Sequence, residues 1–369
     1  MSIKMVSQQH AGNMPLSDSR SCSVIFYEHR QLMNRYLSNN NWVYLLNSPP
    51  ACMPDFQASA SGLVRSATRI WPSPQDSRDH LNQGLALALQ APLTRHLGHL
   101  RASEFDAEPN EIQRYGEHLI KELHVLGRQF HRMSVPYLHW FGELTTLFSA
   151  ATLTRLMYTI ARQFKLRNGP HQRNVIELDI EPLHAETLGL LTGLEFNTLC
   201  INHHPENPLG FKLDTLAKWV DLARDYGFER VYLSISLPLQ LTAQSLRGVE
   251  SVLARHPDGI LFIDRPSIEA ANDRKHTSHR NPFSPCLAID HYRSLLGAYH
   301  YRAASNCYFV RADQSFQEGP KSLAGVGLGA FSFTPRTASL NVDRLKDYYE
   351  RTTLGELPIS HCQSIIVPA

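Results

Sequence analysis

Three things are scarce in this sequence, and each scarcity closes off a class of function. Cysteine comes first: the chain has only Cys22, Cys52, Cys200, Cys286, Cys307 and Cys362, with no C-x2-C or C-x3-C spacing anywhere. That excludes a zinc knuckle or a locally encoded iron–sulfur motif, and it fits a chain whose thiols stay reduced. An excess of one charge is missing as well. With 36 basic and 34 acidic residues the formal net charge is +2, which gives no global pull toward nucleic acid or an anionic membrane. Finally, no run reaches the roughly twenty apolar residues that span a bilayer, and the opening "MSIKMVSQQHAGNMPLSDSR" has no apolar signal core. The expectation is a cytoplasmic protein that does not partner with nucleic acid or membrane.

What is present is enough for a substantial core, since 43% of the 369 residues are hydrophobic. Residues 1–75 are broken by "LSNNNW", "NSPPACMPDF" and "WPSPQDS", in which Pro, Asn and Ser interrupt each apolar run. This part reads as an extension packed on the rest. From 111 onward the text alternates. "EIQRYGEHLIKELHVLGRQF" is helical, "PYLHWF" is a strand, and "SAATLTRLMYTIARQF" is a helix with Ser149 as its N-cap. Strand "NVIELDI", helix "HAETLGLLTGL", strand "FNTLCIN", helix "LDTLAKWVDLARDYG", strand "RVYLSISL", helix "AQSLRGVESVLARH" and strand "GILFID" follow. Short connections between alternating strands and helices require parallel strands with helices outside, closing fully or partly into a barrel. Ligands of such barrels sit at the C-terminal strand ends, here followed by "FGELTT", "EPLHAE", "NHHPEN", "PLQLT" and "RPSIE".

These segments carry a resemblance. "YLHWFGELTTLFSAATLTRLM", "LDIEPLHAETLGLLTGLEFNTLCI", "LARDYGFERVYLSISLPLQLTAQSL" and "GVGLGAFSFTPRTASLNVDRLKDYYERTTLGELPI" resemble, in order, stretches of the oxygen-independent coproporphyrinogen III oxidases. "SGLVRSATRIWPSP" resembles the stretch before their barrel. Those enzymes are a branch of the radical S-adenosylmethionine (SAM) superfamily. The resemblance implies an α/β chain built on a partial (β/α)6 TIM-like barrel over 76–360, with an N-terminal extension (1–75), a tail (361–369) and no C-terminal substrate domain.

In that family the first barrel strand ends in a Pro-aromatic pair followed by C-x3-C-x2-C. The three thiolates hold a [4Fe–4S] cluster whose fourth iron binds SAM. Placing Pro92-Leu93 on the pair puts Thr94, Gly98 and Arg101 at the cysteine positions. A hydroxyl, a hydrogen and a guanidinium do not replace soft thiolates, so no cluster and no reductive SAM cleavage are expected. The family's glycine-rich turn keeps only Gly142 in "FGELT". Its tyrosine before the loop falls on Ala88, and a later glutamine falls on His204. The acidic residue of the strand after the glycine turn falls on Asp179, with Glu181 two residues on, and an aspartate of the following strand meets only Tyr232 and Ser234.

The residues left to hold a cofactor or ligand are Gly142, Glu143, Asp179, Glu181 and Arg101, with SAM itself as one candidate. Glu143 and His204 are the candidates for acid–base work. Glu143 reads equally well as an ion-pair partner of Arg101 or Arg95. His96 and His99 could join His139 or His203-His204 around a metal, or be plain loop histidines; no metal is expected. "DRKHTSHR" reads as a solvated basic loop, "GVGLGAF" as close ligand approach or close strand packing, and His361-Cys362 as exposed tail. The function expected is a pseudoenzyme that binds a small molecule, SAM-like or tetrapyrrole, or assists a partner enzyme. The alternative is non-radical chemistry in a biosynthetic pathway, such as SAM-dependent alkyl transfer or cyclisation.

Overall fold

Alternating apolar residues form strands, and apolar residues three and four apart form helices, along the middle of the chain. The computed structural model describes residues 84–90, 108–130, 132–141, 144–166, 172–180, 184–203, 213–237, 243–264, 289–304, 308–313, 322–333 and 337–364. In chain order the elements are β1 (Ala86–Gln90), α1 (Pro109–Gln129), β2 (Ser134–Val135), β3 (Tyr137–Phe141), α2 (Leu144–Leu147), α3 (Ala150–Gln163), β4 (Lys165–Leu166), β5 (Arg173–Asp179) and α4 (Ala185–Gly193). There follow β6 (Thr198–His203), α5 (Leu213–Asp225), β7 (Arg230–Leu237), α6 (Ala243–Leu253), β8 (Gly259–Asp264), α7 (Ile289–Ala298), β9 (Tyr301–Ala303), β10 (Tyr308–Arg311), β11 (Leu323–Val326), β12 (Phe331–Phe333), β13 (Thr337–Asn341), α8 (Leu345–Thr353) and β14 (Ile359–Ser364). The expected extension, 1–75, lies outside the described residues.

One sheet runs β14-β13-β12-β11-β1-β3-β5-β6-β7-β8-β10-β9. From β11 to β8 every neighbouring pair is parallel. Each of β1, β3, β5, β6, β7 and β8 is followed by a helix before the next strand of the series or, for β8, before the antiparallel β9–β10 pair. This is the partial (β/α)6 barrel read from the sequence. Its described edges are β14 and β9.

Strand parity sorts the side chains. Leu87, Leu89, Leu138, Trp140, Ile176, Leu178, Leu199, Ile201, Val231, Leu233, Ile235, Ile260 and Phe262 belong to one buried cluster shared with the helices. The residues between them point to the opposite, inward face. On the helix side, α1 begins at Pro109, which needs no amide partner in a first turn, and buries Tyr115, Leu119, Leu123 and Leu126. Ser149 caps α3 by accepting from the Thr152 amide at 3.3 Å, as expected.

The closing segment lies on the other side of β1. β11 pairs with β1, and β12, β13 and β14 follow as an antiparallel meander. Strand β14 continues to Ser364, so His361 and Cys362, read from the sequence as tail, pair with Leu340 and Ser339 of β13. Helix α8 packs on α1 through Tyr349, whose ring lies 4.3 Å from that of His118 and whose hydroxyl donates to Glu111 at 2.6 Å.

Candidate functional site

The inward face is polar where an idle barrel interior would be apolar. His139 stands on β3 beside Ala88 of β1, and Glu177 stands on β5. Their Nε2 and Oε1 atoms are 3.1 Å apart, with both side chains almost fully buried. The approach lies off the line of a good hydrogen bond, and Glu177 Oε1 has no hydrogen-bond partner among the described residues. Across the register, Glu177 faces Cys200 of β6, Cys200 faces Tyr232 of β7, and Asp179 faces Asn202. Burial, and then the carboxylates of Glu177 and Asp179, push the Cys200 thiol well above its usual range, so it is a neutral thiol and no nucleophile. Burial likewise pushes Tyr232 up to about 12.

The expected site residues divide by where they fall. Asp179 is the last residue of β5, half-buried, at the C-terminal end of the parallel strands. Gly142, Glu143, Glu181 and His204 lie outside the described residues; in sequence each follows within two residues of the last residue of β3, β5 or β6. Thr94, Gly98 and Arg101, together with His96 and His99, also lie outside, in the stretch after β1, as does "DRKHTSHR". His203 shares parity with Leu199 and Ile201 on the helix side, where burial lowers its pKa. It is thus turned away from the inward face that a metal shared with His139 requires. Among the described residues no group of three or more His, Cys, Asp or Glu stands close enough to hold a metal.

"GVGLGAF" resolves in favour of close packing. A Cβ on Gly325 would stand 2.2 Å from the Phe331 carbonyl oxygen, and one on Gly327, at φ +117°, would stand 2.6 Å from the Gln90 carbonyl oxygen. The Gly327 amide donates to Glu122 Oε2 at 2.9 Å and the Leu328 amide to Tyr115 Oη at 3.0 Å. Two carboxyls were therefore missed in the sequence. Glu177 was readable, since Val175, Glu177 and Asp179 alternate with Ile176 and Leu178. Glu122 was not, because its partners lie more than two hundred residues away.

Neither a scan against protein-family models nor a search of curated proteins finds a match. By structure the chain is similar to coproporphyrinogen III oxidase (HemN) from Escherichia coli, a radical SAM enzyme. The TM-score is 0.62 with 19% identity, covering 80% of this chain and 76% of that one. A second match, HydG, a maturase of the [FeFe]-hydrogenase, has a TM-score of 0.30 and 13% identity over 50% of this chain and 44% of that one, too low to weigh. The chain has the radical SAM fold, and fold alone does not assign an activity. No helix among the described residues is long and apolar enough to cross a membrane.

Proposed function

We propose that this chain is a cluster-less protein of radical SAM fold that binds a small molecule, SAM-like or tetrapyrrole, without radical chemistry, on its own or in support of a partner enzyme. The observation that carries this reading is the stretch after β1. There Thr94, Gly98 and Arg101 stand where the resemblance puts three thiolates, and iron–sulfur clusters need several such ligands converging on one point. A [4Fe–4S] cluster does not fit that donor set. Among the described residues the cysteines offer no substitute, since Cys200 is on β6 and Cys362 on the edge strand β14.

Retained binding is supported by the inward face. A buried polar atom without a hydrogen-bond partner costs free energy, and Glu177 Oε1 is buried on that face with none among the described residues. A ligand or water offering hydrogen bonds at the strand ends would relieve that cost. The His139–Glu177 pair favours one second reading: a carboxylate beside an imidazole suits polar acid–base chemistry, such as SAM-dependent alkyl transfer or cyclisation, for which Glu143 and His204 are the further candidates from the sequence.

The test combines metal analysis with thermal unfolding. Protein purified without oxygen should hold no stoichiometric iron or sulfide. SAM, S-adenosylhomocysteine or coproporphyrin should raise Tm, because a ligand bound only by the folded form stabilises it. Stoichiometric iron and sulfide would sink the cluster-less reading. No shift with any of the three would sink ligand binding of these classes, leaving support of a partner enzyme. Tight SAM binding without iron would promote the second reading.

A further inference from the structure

The buried carboxyl of Glu122 is left unused by the proposed function, and what it does is independent of which ligand the barrel takes. It lies within α1, 1% exposed, and accepts from three separate parts of the closing segment. These are the Gly327 amide at 2.9 Å, Asn341 Nδ2 at 2.8 Å and Tyr348 Oη at 2.6 Å. Asn341 Nδ2 also donates to the Gly327 carbonyl at 2.8 Å, so the turn after β11 and the end of β13 are tied at one point. Tyr115, also on α1, adds a second tie. Its hydroxyl accepts from the Leu328 amide and donates to the Gln90 carbonyl, each at 3.0 Å. Because Gln90 is the last residue of β1, these contacts clamp the closing segment onto the ligand-facing end of the first barrel strand.

The titratable neighbours of Glu122 are Tyr348 from α8, with Tyr349 beyond it, and Tyr115 and His118 on its own helix. His118 is occupied with Thr352 Oγ1 at 2.6 Å, and burial holds it down at about 4, so it is neutral near pH 7. Burial holds Tyr348 well above the usual phenol range. The influences on Glu122 are burial, which raises its pKa to about 7, and three hydrogen bonds that pull it back; no described lysine or arginine is among them.

We propose that Glu122 is a proton-operated latch: neutral, it holds Gly327, Asn341 and α8 against α1 and so helps fix the end of β1; ionised, it loosens that clamp. Protonation keeps the Tyr348 contact, since the phenol oxygen accepts from the carboxyl. Ionisation leaves a charge with no cation beside it, and exposure to water relieves that penalty.

Hydrogen exchange followed by mass spectrometry tests this on the intact protein. Opening constants are read for peptides covering 322–333 and 337–353, with 213–225 in α5 as the internal control. They are expressed as the ratio of wild type to Glu122→Gln, which cancels the opposing titration of His118. With an exposed carboxyl in the open state and a buried one in the closed state, that ratio rises roughly twentyfold between about pH 5.5 and about pH 7.5 and levels off above. A flat ratio overturns the latch, as does an equal rise in the α5 control. Should Glu122→Gln not fold, Tyr348→Phe decides. Loss of a donor that favours the carboxylate extends the rising limb to higher pH, and an unmoved limb overturns the proposal.

Discussion

His139 Nε2 and Glu177 Oε1 meet at 3.1 Å on neighbouring strands of the inward face, each side chain no more than 5% exposed. Removing His139 leaves the Glu177 carboxylate buried without the imidazole beside it. His139→Leu is expected to lower stability by about 3 kcal/mol, because a stranded buried carboxylate is costly. The double variant His139→Leu/Glu177→Leu is expected to lose less than the sum of the two singles, since neither polar group is left behind. Urea denaturation of the four proteins checks this, and additive losses would show that the two groups do not depend on each other.

Glu122 and His118 set opposite pH trends within one helix. The Glu122 carboxyl has a folded pKa of about 7, above its usual value. Its contribution is fully present below the ordinary carboxyl pKa of roughly 4.5 and is lost as pH rises to about 7, a loss of roughly 3 kcal/mol. His118 is held down at about 4. Its contribution is present above the ordinary imidazole pKa of roughly 6.5 and is lost as pH falls toward about 4. The two trends offset each other across the acid range. Relative to wild type, Glu122→Gln should gain stability as pH rises from about 4.5 to about 7, and His118→Gln should gain it as pH falls from about 6.5. Tm measured against pH for the three proteins separates the two; parallel curves would show that neither group titrates on unfolding.

The barrel was legible because its signals are local. "NVIELDI" alternates one face against the other, and Ser149 stands just before an apolar stripe, so periodicity and capping placed β5 and α3 correctly. The site was legible only in part. Asp179 falls at a strand end as expected, whereas reading His203 at the mouth ignored that it shares the helix-side parity of Leu199 and Ile201. Glu122 defeats local reading altogether. In "KELHVL" it looks like a solvent-facing helix position, and only the return of Gly327, Asn341 and Tyr348 from the far end of the chain buries it.

Gly327 and Gly227 offer a controlled comparison of backbone strain and crowding. Both have positive φ, +117° and +95°, but a Cβ on Gly227 meets nothing within 4 Å while one on Gly327 meets the Gln90 carbonyl oxygen at 2.6 Å and Tyr115 Oη at 2.8 Å. Gly227→Ala should cost only the conformational penalty, about 1 kcal/mol. Gly327→Ala must also displace the clamped end of β1 and should cost upward of about 3 kcal/mol. Equal losses in urea denaturation would mean that the contact with Gln90 yields freely.

The stretch after β1 makes the sharpest demand on the proposed function. If Thr94, Gly98 and Arg101 stand in place of three cluster ligands, restoring the thiols should restore the site. The triple variant Thr94→Cys/Gly98→Cys/Arg101→Cys, incubated with iron, sulfide and reductant without oxygen, is expected to turn brown and hold stoichiometric iron and sulfide, while wild type stays colourless. Arg101→Cys alone removes the guanidinium but supplies one thiolate, too few to hold a cluster, so it should remain colourless. That variant separates relief of the positive charge from the supply of ligands. Circular dichroism and Tm establish whether the triple variant is folded. A folded triple variant that takes up no more iron than Arg101→Cys would mean that these three positions do not converge, and that the stretch was never placed to hold a cluster.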